Sequence, residues 1–380
     1  MRLRAVIAAA TAGTLLFIAG CGSGGSEAST TSTTPTGTAG GSQGADNAAG
    51  SSAAPPTIAS GSVPTEQSSA APSSDPGTTF GPEVPPATAV AKAVPAADLP
   101  TASGKFGEKP TLTFPEGKNP PPSLQRQILS EGDGPAVKSG DVLVTNYLGQ
   151  IWGGKVFDNS YDRKAGAAFP IGVGGVVSGW DVGLVGVKVG SRVMLSLPPA
   201  DGYKAKGNPQ AGIKGTDTLV FVIDIKEALP PATGGQADAK PVAAQANTPT
   251  VKGELGKAPT GVTIPKGVPE PTASQAYVIA NGTGPKVADN DQLLVQYAAF
   301  DWAGKPQGAT WPSDSPQMMG QGATGPSQVQ VSAQSPFAKL AGVPVGSRVI
   351  ITIPASQGDG QTQQPSPALA VVVDIVRKLN

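Results

Sequence analysis

Few side chains in this 380-residue sequence are equipped for proton, metal or covalent chemistry. It has no histidine and a single cysteine, Cys21. Imidazole acid–base catalysis, a Ser-His-Asp triad and a histidine zinc site are therefore excluded. One thiol can form neither an intrachain disulfide nor a multi-cysteine metal site. What the sequence does offer is an aromatic in an unusual setting. The stretch VVSGWDVGLVGVKVGSRV, Val176 to Val193, places Trp180 between glycines at the mouth of a very short apolar run. A lone Trp is commonly a core residue. The chemistry it can perform is non-covalent, since a broad apolar ring face excludes water from whatever rests on it.

Lys and Arg total 27 and Asp and Glu total 27, so no basic excess points to a nucleic-acid partner. Gly 51 and Pro 39 are high while charged residues make up only 14%, a mixture of β-rich domains and polar low-complexity chain. Arg2 and Arg4 precede an apolar run from Ala5 to Gly20, the pattern of a signal peptide over residues 1–20. The run is shorter than the roughly 20 apolar residues a membrane span needs. It ends Ile18-Ala19-Gly20-Cys21, which resembles the lipobox of bacterial lipoproteins. That resemblance implies an acylated Cys21, a lipid anchor in the cell membrane and an extracytoplasmic location, with acyl chains giving stable attachment. Residues 21–104, rich in Ser, Thr, Gly, Ala and Pro, are expected to be a disordered stalk, and 231–252 a looser connector of the same kind.

The chain on either side of that connector repeats. EGDGPAVKSGDVLVTNYLGQIWGGK at Glu131 matches NGTGPKVADNDQLLVQYAAFDWAGK at Asn281. VGSRVMLSLPPA at Val189 matches VGSRVIITIPAS at Val345, and LVFVIDI at Leu219 matches AVVVDI at Ala370. This predicts two tandem copies of one domain, 105–230 and 253–380, rather than a solenoid. Within a copy the periodicity is that of strands. Val193, Leu195 and Leu197 alternate with Arg192, Met194 and Ser196, and Leu219, Phe221, Ile223 and Ile225 occupy alternate positions. Both read as half-buried strands with one face on a core, and Val142–Tyr147 is similar. Asp181–Val185, ended by Gly186, is the one helix predicted. The fold class is therefore α+β.

The motifs GDGPAVKSGDVLVTNYLG, GKVFDNSYDR, FPIGVGGVVSGWDVGLVGVKVGSRVMLSLPPADGY and GTDTLVFVIDI occur in order between Gln125 and Glu227. In these motifs the first copy resembles the FK506-binding, or FKBP-type, peptidyl-prolyl cis–trans isomerases. The resemblance implies a twisted antiparallel half-barrel around a short α-helix, and an activity that rotates X-Pro bonds in peptides. It implies that Trp180 floors the pocket for the proline ring and that Tyr147, Phe157, Val176, Val177, Ile213 and Phe221 line it. Asp158 and Tyr203 would supply polar contacts at the rim, and the Val177 amide would hydrogen-bond the peptide. Proline-containing peptides, unfolded secreted proteins and FK506- or rapamycin-type ligands are the implied partners, with no cofactor or metal. Ala167 and Lys204 depart from the family pattern, where an aromatic and a glycine are common. The pair Asp162 and Arg163 reads as a loop salt bridge.

In the second copy the Phe157 and Asp158 positions carry Gln307 and Gly308, and the Gly-Trp pair falls on Ser335 and Pro336. Phe221 becomes Val371, and Tyr203 falls near Asp359. This copy is expected to keep the scaffold without the activity and to be joined loosely to the first. Rotation about X-Pro faces a barrier of about 18–20 kcal/mol from amide resonance and transfers no proton. A dry aromatic pocket that favours the twisted amide suffices, and Asp158 need not act as an acid. The competing expectation is a non-catalytic module that holds prolyl segments.

Overall fold

The computed structural model describes residues 87–163, 165–312, 325–357 and 365–380. The signal peptide, Cys21 and the stalk as far as residue 86 lie outside them, as do Asp359 and most of the insertion at 317–328.

The first unit opens with a small hairpin, β1 (Thr101–Ala102) and β2 (Leu112–Thr113), and then builds an antiparallel sheet. Its strands are β3 (Gln125–Ser130), β4 (Val142–Ile151), β5 (Val156–Asn159), β6 (Ala167–Pro170), β7 (Arg192–Leu197) and β8 (Leu219–Leu229). The order is β3-β7-β8-β4-β5, with β6 pairing the start of β4. One helix, α1 (Ser178–Leu184), packs on the sheet through Trp180 and Leu184. It begins three residues before the predicted Asp181, so Trp180 sits in its first turn. Arg126 from β3 donates to the Gly183 and Val185 carbonyls at 3.1 and 3.3 Å, satisfying the helix C-terminus.

The second unit repeats this order. A short strand β9 (Lys240–Pro241) and a hairpin, β10 (Thr250–Lys252) and β11 (Gly261–Thr263), come first. Then follow β12 (Gln275–Asn281), β13 (Gln292–Asp301), β14 (Pro306–Ala309), β15 (Ser327–Gln330), β16 (Arg348–Ile353) and β17 (Leu369–Lys378). The sheet runs β14-β13-β17-β16-β12-β9, with β15 on β13. In place of α1 stands a 3₁₀ turn, Pro336–Leu340.

Three sequence expectations need correction. The strands are not half-buried: every residue of β7 is buried. The face carrying Met194, Val220 and Val222 is covered by Leu99 and Leu112, with Val94, Phe114, Trp152 and Tyr161 packed around them. On β8 Val220 and Val222 are themselves apolar, so part of that strand reads as a near-continuous apolar run buried on both sides, while on β7 the alternate Arg192 is buried through its pairing with Asp224.

The stalk does not extend to residue 104. Ala87 N–H donates to Asp201 Oδ1 at 2.6 Å and Val94 N–H to Gln125 Oε1 at 3.0 Å, and Leu99 is buried. The boundaries at 105 and 253 also cut through the two hairpins. Buried arginines clamp both hairpins. Arg192 donates to Asp224 at 2.6 Å and to the Gly104 and Glu108 carbonyls, and Arg348 donates to Asp374 at 2.6 Å and to the Glu254 and Lys257 carbonyls.

The connector is not loose. Gln296 Nε2 donates to the Pro231 carbonyl at 2.7 Å, Gly235 N–H to Asp374 at 2.9 Å and Gln236 N–H to the Gly346 carbonyl at 2.9 Å. Val144 and Leu229 of the first unit share a buried cluster with Leu294 and Leu379 of the second. The connector carries no periodic apolar pattern; its start is held by these hydrogen bonds to the second sheet and by the buried Ala239, while most of its other side chains stay exposed.

Candidate functional site

The site is built where α1 meets the concave side of the first sheet. Tyr147 lies near the middle of β4, Phe157 and Asp158 on β5, Phe169 on β6, and Phe221 on β8. The register sets Gly149 opposite both Phe221 and Asp158. The absence of a side chain there is required: a Cβ at Gly149 would lie 2.6 Å from Phe157 Cζ and 2.8 Å from Phe221 Cε1. The two rings occupy the space a methyl group would take.

Trp180 is the centre of the arrangement, with 4% of its surface exposed. Its ring meets Tyr147 at 5.6 Å, Phe169 at 5.2 Å and Phe221 at 5.2 Å between centroids, all edge-to-face. Phe221 meets Phe157 at 5.5 Å and Tyr147 meets Phe169 at 5.8 Å, again edge-to-face. These are the favoured geometries for aromatic pairs. The Trp180 Nε1–H is buried with no protein acceptor among the described residues. Val176, Val177 and Tyr203 are partly buried against this cluster, and Ile213 is buried in it.

The loop before α1 is held from the helix itself. Asp181 accepts from the Gly172 and Gly174 amides at 2.6 and 2.8 Å. Both glycines have positive φ, +77° and +78°, so the loop can turn tightly toward Val176 and Val177. On the other side, Asn208 and Ile213 exchange backbone hydrogen bonds at 2.9 Å each, closing the flap that carries Ile213 inward. Lys204, beside Tyr203, has φ +54°. A glycine would take that left-handed conformation without strain.

The polar rim is a three-residue network. Tyr147 donates its hydroxyl proton in a short bond to Asp158, Arg163 donates to Asp158 Oδ1 at 2.5 Å, and Arg163 Nη2 donates to the Tyr147 oxygen at 2.8 Å. Burial, followed by the neighbouring Asp158 charge, pushes the Tyr147 phenol up from its ordinary value. Burial likewise raises that of Tyr203. Both therefore stay neutral donors at ordinary pH.

All nine side chains singled out from the sequence fall in or against this one cluster or its rim. Tyr147, Trp180, Ile213 and Phe221 are buried members, while Phe157, Val176, Val177 and Tyr203 pack around them. Asp158 is reached through Tyr147. Phe169, carried by the FPIGVGG motif, joins them in the ring cluster, and sequence reasoning missed two further participants. Arg163 is not paired with its neighbour Asp162, which instead binds Lys109 at 2.7 Å. Arg163 turns to Asp158, an approach across a loop that spacing does not reveal. The loop-pinning role of Asp181 was also unread. The i to i−7 and i−9 bonds it accepts have no local periodicity to signal them.

A family model described as FKBP-type peptidyl-prolyl cis–trans isomerase matches residues 134–226. An FK506-binding protein of Streptomyces anulatus is 39% identical over 119 residues, which are 31% of this chain and 95% of that protein. The chain belongs to the FKBP-type peptidyl-prolyl cis–trans isomerases. FK506-binding protein 1 of Debaryomyces hansenii is 41% identical over 106 residues, 28% of this chain and 94% of that protein. The FKBP-type isomerase FkpA of Escherichia coli is 39% identical over 120 residues, 32% of this chain, which span only 42% of that protein. The first unit thus carries the FKBP fold of antiparallel sheet with few helices, and the enzyme is a peptidyl-prolyl isomerase. The family match holds the whole site, from β4 to β8, and omits both hairpins and the second unit.

Proposed function

We propose that this isomerase accelerates X-Pro rotation in extracytoplasmic proteins through the pocket floored by Trp180, without covalent or acid–base chemistry. The observation that carries the reading is the closed set of edge-to-face contacts around Trp180, rimmed by one hydrogen-bonded Asp158–Tyr147–Arg163 network. Resonance favours the planar amide, and water adds to that preference by stabilising the partial negative charge on its oxygen. A proline ring seated on the indole is shielded from that solvent, and the twisted amide, which has lost its resonance charge, is disfavoured less. Each tenfold in rate takes about 1.4 kcal/mol of such selectivity. The Val177 amide and the Tyr203 hydroxyl would donate to peptide carbonyls and hold the chain on either side of the rotating bond. Asp158, already saturated by Tyr147 and Arg163, orients the rim. FK506- and rapamycin-type ligands would occupy the same floor.

The second unit is a degenerate FKBP-like domain that supplies no turnover. Strand order and buried hydrogen bonds support its kinship, while Gln307, Gly308, Pro336 and Val371 stand where the pocket needs Phe157, Asp158, Trp180 and Phe221. The enzyme is tethered to the membrane through an acylated Cys21.

Acceleration of cis-to-trans exchange in a short prolyl peptide by the full chain, abolished by an FK506-type ligand, tests the pocket. A folded chain with no acceleration would leave a prolyl-holding module in its place. Substituting Cys21→Ser should move the protein out of the membrane fraction, and unchanged attachment without acylation would remove the anchor.

A further inference from the structure

We infer that the second unit braces the wall of the first unit's pocket, with Leu379 as the positioning residue; the inference rests on the pocket reading above. The strand at issue is β6. It has four residues and, among the described strands, pairs with β4 alone, so that its outer edge is open within its own sheet. A short edge strand of this kind is intrinsically weak and its outward N–H groups need acceptors. The second unit supplies them. Gly166 N–H, just before the strand, donates to the Leu379 carbonyl at 2.9 Å. Ala168 N–H donates to Gln328 Oε1, on β15, at 3.3 Å.

Side chains close the same seam. Leu379, 5% exposed, packs with Val144 and Leu229 of the first sheet, with Ala168 against them. Arg377 pairs with Glu227 at 2.8 Å on its border. The tail bearing Leu379 is itself held down. Its amide donates to the Gln292 carbonyl at 2.8 Å, Lys378 pairs with Asp291 at 2.8 Å, and Asn380 Nδ2 donates to Asp291 at 3.1 Å.

Successive residues of a strand face opposite ways. Ala168 faces the seam, so Phe169 faces the pocket, where it touches both Tyr147 and Trp180. The route from Leu379 to the pocket floor is therefore one strand thick. Family members that match over 95% of their length contain no counterpart of the second unit within that match. Here the wall strand has gained an external support.

The test measures prolyl-peptide kcat and KM on the full chain and on Leu379→Ala, Leu379→Met, Phe169→Ala and the Leu379→Ala/Phe169→Ala double variant. Val372→Ala serves as a control, a buried truncation in the second unit away from the seam. Leu379→Ala should lower kcat/KM about threefold to tenfold, mostly through KM, with Leu379→Met restoring it and Val372→Ala retaining it. The double variant should be no worse than Phe169→Ala alone. Additive losses, an equal loss in Val372→Ala, or a folded Leu379→Ala with unchanged KM would each overturn the brace. If Phe169→Ala itself keeps full activity, it is the pocket assignment that fails, a distinct outcome.

Discussion

The two units hold the same scaffold around different interiors. In the first, Tyr147 N–H donates to Ser160 Oγ at 2.9 Å; in the second, Tyr297 N–H donates to Thr310 Oγ1 at 2.9 Å. Gly132 N–H on Ser191 Oγ is matched by Gly282 N–H on Ser347 Oγ, both at 2.9 Å. The buried Arg192–Asp224 pair is matched by Arg348–Asp374. Yet every ring–ring contact among the described residues belongs to the first unit. Where Gly149 makes room for two phenylalanines, the second unit has Ala299, a methyl group filling space the rings have vacated. The α-helix that presents Trp180 is a 3₁₀ turn started by Pro336 and capped by Ser335. Satisfied backbone and buried charge are what folding needs, and both copies keep them. The aromatic cluster around Trp180 is additional to these, and among the described residues it is present in the first unit alone.

The comparison is most directly challenged at the floor. Trp180→Ala should reduce prolyl-peptide turnover by at least about tenfold, and, as a buried aromatic truncation, should cost about 3–5 kcal/mol of stability. The residual rate should equal the uncatalysed one. Undiminished turnover in a folded Trp180→Ala chain would mean that Trp180 is not the floor of the working pocket. Next in size are the paired clamps. Arg192→Met and Arg348→Met each leave a buried aspartate without its partner, which costs about 3–5 kcal/mol. Calorimetric losses should be alike for the two, and a large inequality would show that the duplicated clamp is not duplicated in energy.

A glycine–alanine exchange sharpens the contrast at lower cost. Gly149→Ala should destabilise by about 1–3 kcal/mol through overpacking, and slow the reaction as Phe157 and Phe221 are displaced. The reciprocal Ala299→Gly should cost only about 0.5–1 kcal/mol and leave turnover unchanged. Denaturant melts with parallel assays distinguish these outcomes.

Alkaline pH should affect stability before activity. Burial raises the phenols of Tyr147, Tyr203 and Tyr297 in the folded state. The unfolded chain then loses these protons first, at an ordinary value of about 10. The associated stability is intact below that pH and falls as pH rises above it toward the elevated folded values. Turnover per folded molecule should stay flat from pH 7 to about 10; a phenolic inflection near 9 would contradict the neutral-donor role of Tyr203. The smallest expected effect is at Lys204, whose φ of +54° is a strain a glycine would not bear. Lys204→Gly should raise stability by no more than about 1 kcal/mol, seen as a small rise in Tm.

Much of the site was legible because its chemistry is local in type. The absence of histidine removed histidine-based acid–base and metal alternatives, the run around Trp180 carried the helix, and the family resemblance of the motifs implied the residues around it. The repeated strand order was legible because Asp141 and Asp291, or Arg192 and Arg348, recur with their neighbours in order. Less legible were the segments at the borders. Ala87–Leu99 and the connector have the composition of free chain, yet their few apolar and amide groups find partners already built by the sheets.

The sequence by itself determined which residue types were available: no histidine, a single cysteine, and an aromatic set gathered in the first of two similar stretches. Tertiary structure alone decided how they meet. It turned Arg163 from its neighbour to Asp158, covered the outer face of β7 and β8 with the hairpin, and laid Leu379 against the strand that carries Phe169. The physical reason is separation along the chain. Periodicity reports which face of an element is apolar, but the partner that buries that face can come from hundreds of residues away, as Leu379 does for β6, and only the folded chain brings it there.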